Sequence, residues 1–230
     1  MGLALSQKFL KRGALVFGVS RTKHHWKTAL TTIDHSDHFF LSAVDLTKES
    51  AVDRFLRSVQ KKTGRVDLLI NCAGYGGRLA TIDQLSLSEF KKHLSNNLLS
   101  AFLMCKHTIP IMRKRKNGLV INISSMAGKR AVPKLVAYSA AKFGIVALSQ
   151  CVAKENSDAN LTCITVCPGG MNTKMRSDLF GKKDAEQQQS VSYVADVIMQ
   201  VISGKIEVES GGDIVIRHGK ITAINPSPKA

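Results

Sequence analysis

The feature that most constrains this chain is its alternation of short apolar runs with longer amphipathic ones. ALVFGVS, HFFLSAVDL, VDLLINCAG, GLVINISS, NLTCITVCPGG and DIVIRHG are compact runs rich in Val, Ile, Leu and Phe. Strands this apolar are buried on both faces, which is the mark of a parallel sheet covered by helices. Between them lie helical patterns. Leu3, Leu5, Phe9 and Leu10 recur at helical spacing and stop at Gly13; ESAVDRFLRSVQKKTG stops at Gly64; further patterns cover 86–115, about 136–155 and 190–203. Strands and helices alternating at these lengths predict βαβ units with right-handed crossovers. The predicted fold class is α/β, a doubly wound three-layer sandwich with a mostly parallel sheet. No Pro/Gly/Ser-rich linker, repeat or low-complexity block divides the chain, so residues 1–230 are expected to form one domain. Ligands of such folds bind at the carboxyl ends of the strands. Arg21, Asp45, Asn71-Cys72-Ala73-Gly74, Ser124-Ser125 and Pro168-Gly169 fall there.

Charge and cysteine usage narrow the setting. Lys and Arg number 33 against 17 Asp and Glu, a formal charge of +16, which suits anionic partners as well as a plain solvated basic surface. The densest run, Arg113-Lys114-Arg115-Lys116, reads as an exposed helix end, where cations favour the macrodipole. No aromatic residues interleave with it, so no nucleic-acid partner is expected. No apolar run approaches bilayer-spanning length, so no membrane partner is expected either. Five cysteines without a signal-peptide pattern predict reduced thiols and a cytoplasmic location. Cys163 and Cys167, four apart on an apolar strand, read as core thiols. His35 and His38 read as a polar loop, and no metal site is expected. MGLALS fits a myristoylation pattern, and the flanking Lys8, Lys11 and Arg12 faintly resemble a signal peptide, but the charges interrupt any apolar core.

The chemistry concentrates in YSAAK, where Tyr138 and Lys142 stand four apart on one helical face. Taken singly, Tyr138 is a packing residue, Lys142 a solvated one, Ser125 a strand-end cap and Asn97 a helix amide. Their order is what matters. Asn71-Cys72-Ala73-Gly74 ends one strand, Asn97 follows in NNLLSAF, Ser125 ends the next strand 13 residues before Tyr138, and PGGMNT ends the strand after. Together these resemble the short-chain dehydrogenase/reductase family of Rossmann-fold, NAD(P)-dependent oxidoreductases, over nearly the whole chain. The resemblance implies a catalytic group of Asn97, Ser125, Tyr138 and Lys142, with Ser125 and Tyr138 also meeting the substrate. The Lys142 ammonium and the positive oxidised nicotinamide are together expected to lower a phenol pKa that is ordinarily about 10. Ser125 holds the substrate oxygen, and Asn97, preferred to Asn96 because LLSAF follows it, anchors a water linked to Lys142.

The resemblance also implies the cofactor site. The strand that carries the selecting residue ends at Ser20-Arg21 with no acid, which favours NADP over NAD, NADPH over NADH, because arginine suits a 2′-phosphate. Asp45 and Leu46 match the adenine position. Asn71, Ala73 and Gly74 match the segment by the cofactor ribose, and Pro168, Gly169, Met171 and Thr173 the segment that holds the nicotinamide amide. Tyr138 and Lys142 also face the cofactor.

Family members open with an apolar strand and a TGxxxGxG turn whose amides and helix N-terminus hold the pyrophosphate. Gly2 matches the last glycine of that turn, so the first, central strand is expected to be missing. Three accounts compete: an upstream start, a truncated and impaired enzyme, or a non-catalytic binding or scaffold protein. The intact catalytic group favours the first. For substrate, a carbonyl or secondary alcohol is expected, anionic or carrier-bound. Lys129 and Arg130 are placed at the site mouth, and 3-oxoacyl thioester reduction is the specific expectation. The short polar segment MRSDLFGKKDAEQQQS argues against a deep apolar cap. Relatives pair through their two long helices, here 86–115 and 136–155, so a homodimer or homotetramer is expected.

Overall fold

The computed structural model describes residues 1–21, 31, 33 and 37–228. The first helix, α1 (Gly2–Leu10), leads into β1 (Val16–Ser20), and β2 (Phe39–Ala43) follows. Helix α2 (Glu49–Thr63) places Val52, Phe55, Leu56 and Val59 in the core and ends at Gly64, whose φ of 69° closes the last turn with a bond to Gln60 O. Then come β3 (Leu68–Asn71), α3 (Leu87–His93), a π-helical segment (Leu94–Leu99), α4 (Ser100–Lys114) and β4 (Gly118–Ile123). After these lie α5 (Val136–Glu155), β5 (Leu161–Pro168), α6 (Lys174–Phe180), α7 (Lys182–Glu186), α8 (Val191–Ile202), β6 (Asp213–Arg217) and β7 (Lys220–Asn225).

The strands form two sheets. β1 and β2 pair in parallel, and the second sheet has the order β3-β4-β5-β6-β7, parallel except for the last pair. No strand among the described residues lies between β1 and β3. Neighbouring residues on each strand face opposite layers, as a doubly covered sheet demands. Leu69, Val120 and Cys163 join α2, α4 and α5 in one core cluster, to which Phe17 and Val19 of β1 are packed. Ile121, Ile123, Ile164 and Val166 join Leu5 of α1 and the buried face of α8 in the other. The result is the expected three-layer Rossmann-like α/β arrangement.

Two elements differ from expectation. The sequence predicts DIVIRHG as the last strand, yet KITAIN follows as β7, antiparallel to β6 across a tight turn in which His218 and Gly219 both have positive φ. Its residues alternate exposed and half-buried, as an edge strand with one covered face does. Helix α5 is also long and apolar enough to meet a membrane-span criterion by composition. It packs on β4 and β5 and buries Lys142, so it reads as a core helix. Cys105, Cys163 and Cys167 are buried and unlinked. His38 sits in the turn before β2, and His35 lies outside the described residues.

Candidate active site

Helix α5 begins at Val136, so Tyr138 and Lys142 occupy its first two turns, on the face toward the end of β4. The Ser125 side chain lies beside the Tyr138 phenol and favours its charged form. Ser125 begins the turn after β4 and accepts the Ala127 amide at 3.1 Å. The fit of this turn on α5 is tight. Ser124 Oγ donates to Lys142 O at 2.8 Å, and a side chain at Gly128 would run into both groups. Ser124 is thus a site residue that the sequence shows only as the neighbour of Ser125.

Lys142 is almost fully buried, and its Nζ donates to Ile123 O at 2.9 Å. Burial pulls its pKa down to about 8, against the pull of nearby Cys167 and Cys72. Its ammonium lies 5.6 Å from the centre of the Tyr138 ring. Burial pushes the Tyr138 phenol up, and the neighbouring Ser125 side chain works the other way. The sequence predicts a phenol lowered by Lys142 and the oxidised nicotinamide together; in the protein alone the Lys142 ammonium is committed to the Ile123 carbonyl.

Asn97 sits on the π-helical segment, a widened turn of the kind found at functional sites. Its side chain makes three hydrogen bonds. Oδ1 accepts the Tyr75 amide, and Nδ2 donates to Tyr75 O and His93 O, each at 3.0 Å. The carboxamide therefore pins the loop after β3 to the helix with both of its N–H groups, while Oδ1 keeps a second acceptor site. Gly74 passes directly over it: a Cβ there would lie 3.3 Å from Asn97 Oδ1. Behind this loop, His93 is 2% exposed and stands edge-on to Tyr138 with ring centres 6.3 Å apart. Burial pulls its pKa down, and Glu89 opposes the shift.

The predicted cofactor residues cluster at the strand ends. Gly2 begins α1, against the Cys72 thiol, and the helix has no side-chain cap on its first amides. Ser20 ends β1, and the exposed Arg21 guanidinium donates to Asn96 Oδ1 at 2.7 Å. Asp45 accepts the Thr47 hydroxyl at 2.7 Å and amide at 3.0 Å, donors that hold its carboxyl below its usual range. Leu46 packs on the core beside it. Asn71 ends β3 and donates to Asn122 Oδ1 at 2.8 Å, with Ala73 and Gly74 following. Pro168 ends β5, Gly169 N donates to Ile216 O, and Met171 is bridged to Gln189. Thr173 caps α6, accepting the Arg176 amide at 3.2 Å. An exposed arginine and helix amides without a side-chain cap are donors that together fit the phosphates of a dinucleotide.

Two expectations about the mouth change. Lys129 is bonded to the buried carboxylate of Asp213 at 2.6 Å and is not a free cation there. The polar segment after PGGMNT folds into α6 and α7, and α6 lays Met175 and Leu179 against Gly76, with Met175 also reaching Gly74. In the sequence, this apolar pair is hidden among polar neighbours at helical spacing.

A family model described as short chain dehydrogenase matches residues 1–184. The chain is 26% identical over 219 residues to an NADPH-dependent pterin aldehyde reductase of Arabidopsis thaliana, covering 94% of this chain and 88% of that protein. It is 34% identical over 182 residues to a short-chain dehydrogenase/reductase of Talaromyces verruculosus, covering 78% and 68%. Its fold matches a 3-ketoacyl-(acyl-carrier-protein) reductase from Brucella melitensis complexed with NADH, with a TM-score of 0.84, 23% identity and 94% and 92% coverage.

Proposed function

The chain belongs to the short-chain dehydrogenase family, and from that premise we propose that it is an NADP(H)-dependent oxidoreductase interconverting a carbonyl and a secondary alcohol. The observation that carries the reading is the Ser125–Tyr138 hydroxyl pair with Lys142 buried one helical turn away. When bound, the nicotinamide supplies or accepts the hydride. The protein's own residues handle the oxygen and its proton. Ser125 orients the substrate oxygen, and Tyr138 exchanges a proton with it. Asn97 acts by fixing the Tyr75 loop. Arg21, with Ser20, would hold the 2′-phosphate, Asp45 and Leu46 the adenine and Gly2 the pyrophosphate, while Asn71, Ala73, Gly74, Pro168, Gly169, Met171 and Thr173 would serve the rest of the cofactor.

We further propose that residues 1–230 act as one cofactor-binding unit in the cytoplasm, a reading that the unlinked thiols support. Leu99 at the end of the π-helical segment, Phe102 on α4 and Phe143 on α5 are exposed. This apolar face supports pairing of two or four copies through those helices. The apolar Met175–Leu179 cover supports a substrate with an apolar body, and 3-oxoacyl thioesters remain the specific candidates.

The test is titration with NADPH and NADH, followed by cofactor oxidation over a carbonyl panel. Tighter NADPH binding, with turnover lost in Tyr138→Phe, supports the proposal; equal binding of NADH removes the cofactor preference. The divided sheet favours one second reading, a chain that binds nucleotide without turning substrate over. NADPH binding with no carbonyl reduced under any condition would select it.

A further inference from the structure

The Arg21 guanidinium reaches 75 positions along the chain to Asn96 Oδ1, at 2.7 Å. Asn96 is itself held, because its Nδ2 donates to Lys92 O at 2.8 Å, one turn back on the same helix. The two ends of this amide thus work in one direction: the helix fixes the amide, and the amide fixes the arginine. Lys92 lies nearby, its ammonium 4.5 Å from the centre of the Tyr75 ring. Two residues that carry exposed cations, one at the end of β1 and one on α3, are therefore tied to the same amide, Arg21 through its guanidinium and Lys92 through its backbone carbonyl. Like charges separate unless structure restrains them or an anion joins them.

We propose that Asn96 is a specificity-determining positioning residue, which holds Arg21 beside Lys92 so that the two cations form the site for the 2′-phosphate of the cofactor. This rests on the NADP(H) reading. An arginine can spend one N–H on a neutral amide and keep the others for a phosphate, and the amide removes rotamer freedom without cancelling charge. A carboxylate at position 96 would orient the arginine equally well but would repel the phosphate. The adjacent asparagines therefore differ in role. Asn97 pins the Tyr75 loop, and Asn96 sets the cofactor.

The experiment is calorimetric binding of 2′,5′-ADP and of 5′-AMP to the full chain and to Asn96→Ala, Asn96→Asp and Arg21→Ala. Asn96→Ala is expected to weaken 2′,5′-ADP about fivefold, the scale of one exposed charge-assisted hydrogen bond, and to leave 5′-AMP unchanged. Asn96→Asp is expected to weaken 2′,5′-ADP further, by at least about tenfold. Unchanged or tighter 2′,5′-ADP binding in both Asn96 variants, with Arg21→Ala still weakened, overturns the role of Asn96 and leaves the NADP(H) reading intact. If Arg21→Ala also binds 2′,5′-ADP as the unmodified chain does, the cofactor reading itself fails. Equal loss of both nucleotides in Asn96→Ala indicates local unfolding and also overturns the proposal, and far-ultraviolet circular dichroism of each variant accompanies the titrations.

Discussion

Replacing Lys142 with methionine should stabilise the free protein while abolishing its activity. Lys142 is 4% exposed, and burial lowers its pKa from 10.5 to about 8. The sign follows from proton binding. Between those two values the unfolded chain holds the proton and the folded chain releases it, so stability rises with pH through that window. Below the folded value the native state carries a buried ammonium and the full penalty applies. At about 1.4 kcal/mol per unit, the penalty at about pH 7 is on the order of 3 kcal/mol, and at about pH 9.5 it falls to about 1.5 kcal/mol. Against this, methionine gives up the bond from Nζ to Ile123 O, which costs about 1 kcal/mol. Lys142→Met is therefore predicted to be more stable than the unmodified chain by about 2 kcal/mol at about pH 7 and nearly equal to it at about pH 9.5. Methionine suits both the helix and the apolar surroundings. Urea unfolding of both proteins at the two pH values reads the difference directly, since other titrating groups cancel between them. A variant less stable at neutral pH, or a gap that does not shrink as pH rises, would refute the reasoning.

Other outcomes follow from the same contacts. Lys129→Ala leaves Asp213, 4% exposed, held on its side chain by the Asn225 amide at 2.9 Å, and should cost about 2 kcal/mol. Asp213→Asn in that background should recover much of it, as read by the urea midpoint. Gly77→Ala combines a φ of 62° with a methyl driven into His93 and Glu89, so a loss on the order of 2 kcal/mol or more is expected in thermal melts. Asn97→Ala removes three hydrogen bonds to backbone groups of Tyr75 and His93 and should raise amide hydrogen exchange of the Tyr75 loop together with loss of turnover.

Much of the fold is legible in the sequence because its signals are local. Helix α5 runs from Val136 to Glu155, as its pattern implies, and α2 stops at Gly64 because a left-handed closing residue is cheapest as glycine. The buried strands announce themselves by being apolar throughout. β7 escapes such a reading because KITAIN is an edge strand whose alternation is half polar. At the site, Ser125, Tyr138 and Lys142 come together as their spacing implies, since a strand end and the first turns of the next helix leave little freedom. Partners distant in sequence are not legible. Nothing local joins Lys129 to Asp213, Arg21 to Asn96 or Asn97 to Tyr75, because each pairing depends on how loops settle around a finished sheet. The direction of the Tyr138 shift is hidden for the same reason: i,i+4 spacing places Lys142 nearby but does not aim its ammonium, which the Ile123 carbonyl takes.

The most direct test of the central claim is hydride transfer itself. The purified chain is incubated with NADPH deuterated at the transferable position and a carbonyl panel that includes 3-oxoacyl thioesters, and the alcohol products are examined by mass spectrometry. Deuterium is predicted on the former carbonyl carbon with the unmodified chain and not with Tyr138→Phe. Reduction that persists at full rate in Tyr138→Phe, or nucleotide binding that never yields a deuterated alcohol, would contradict the account.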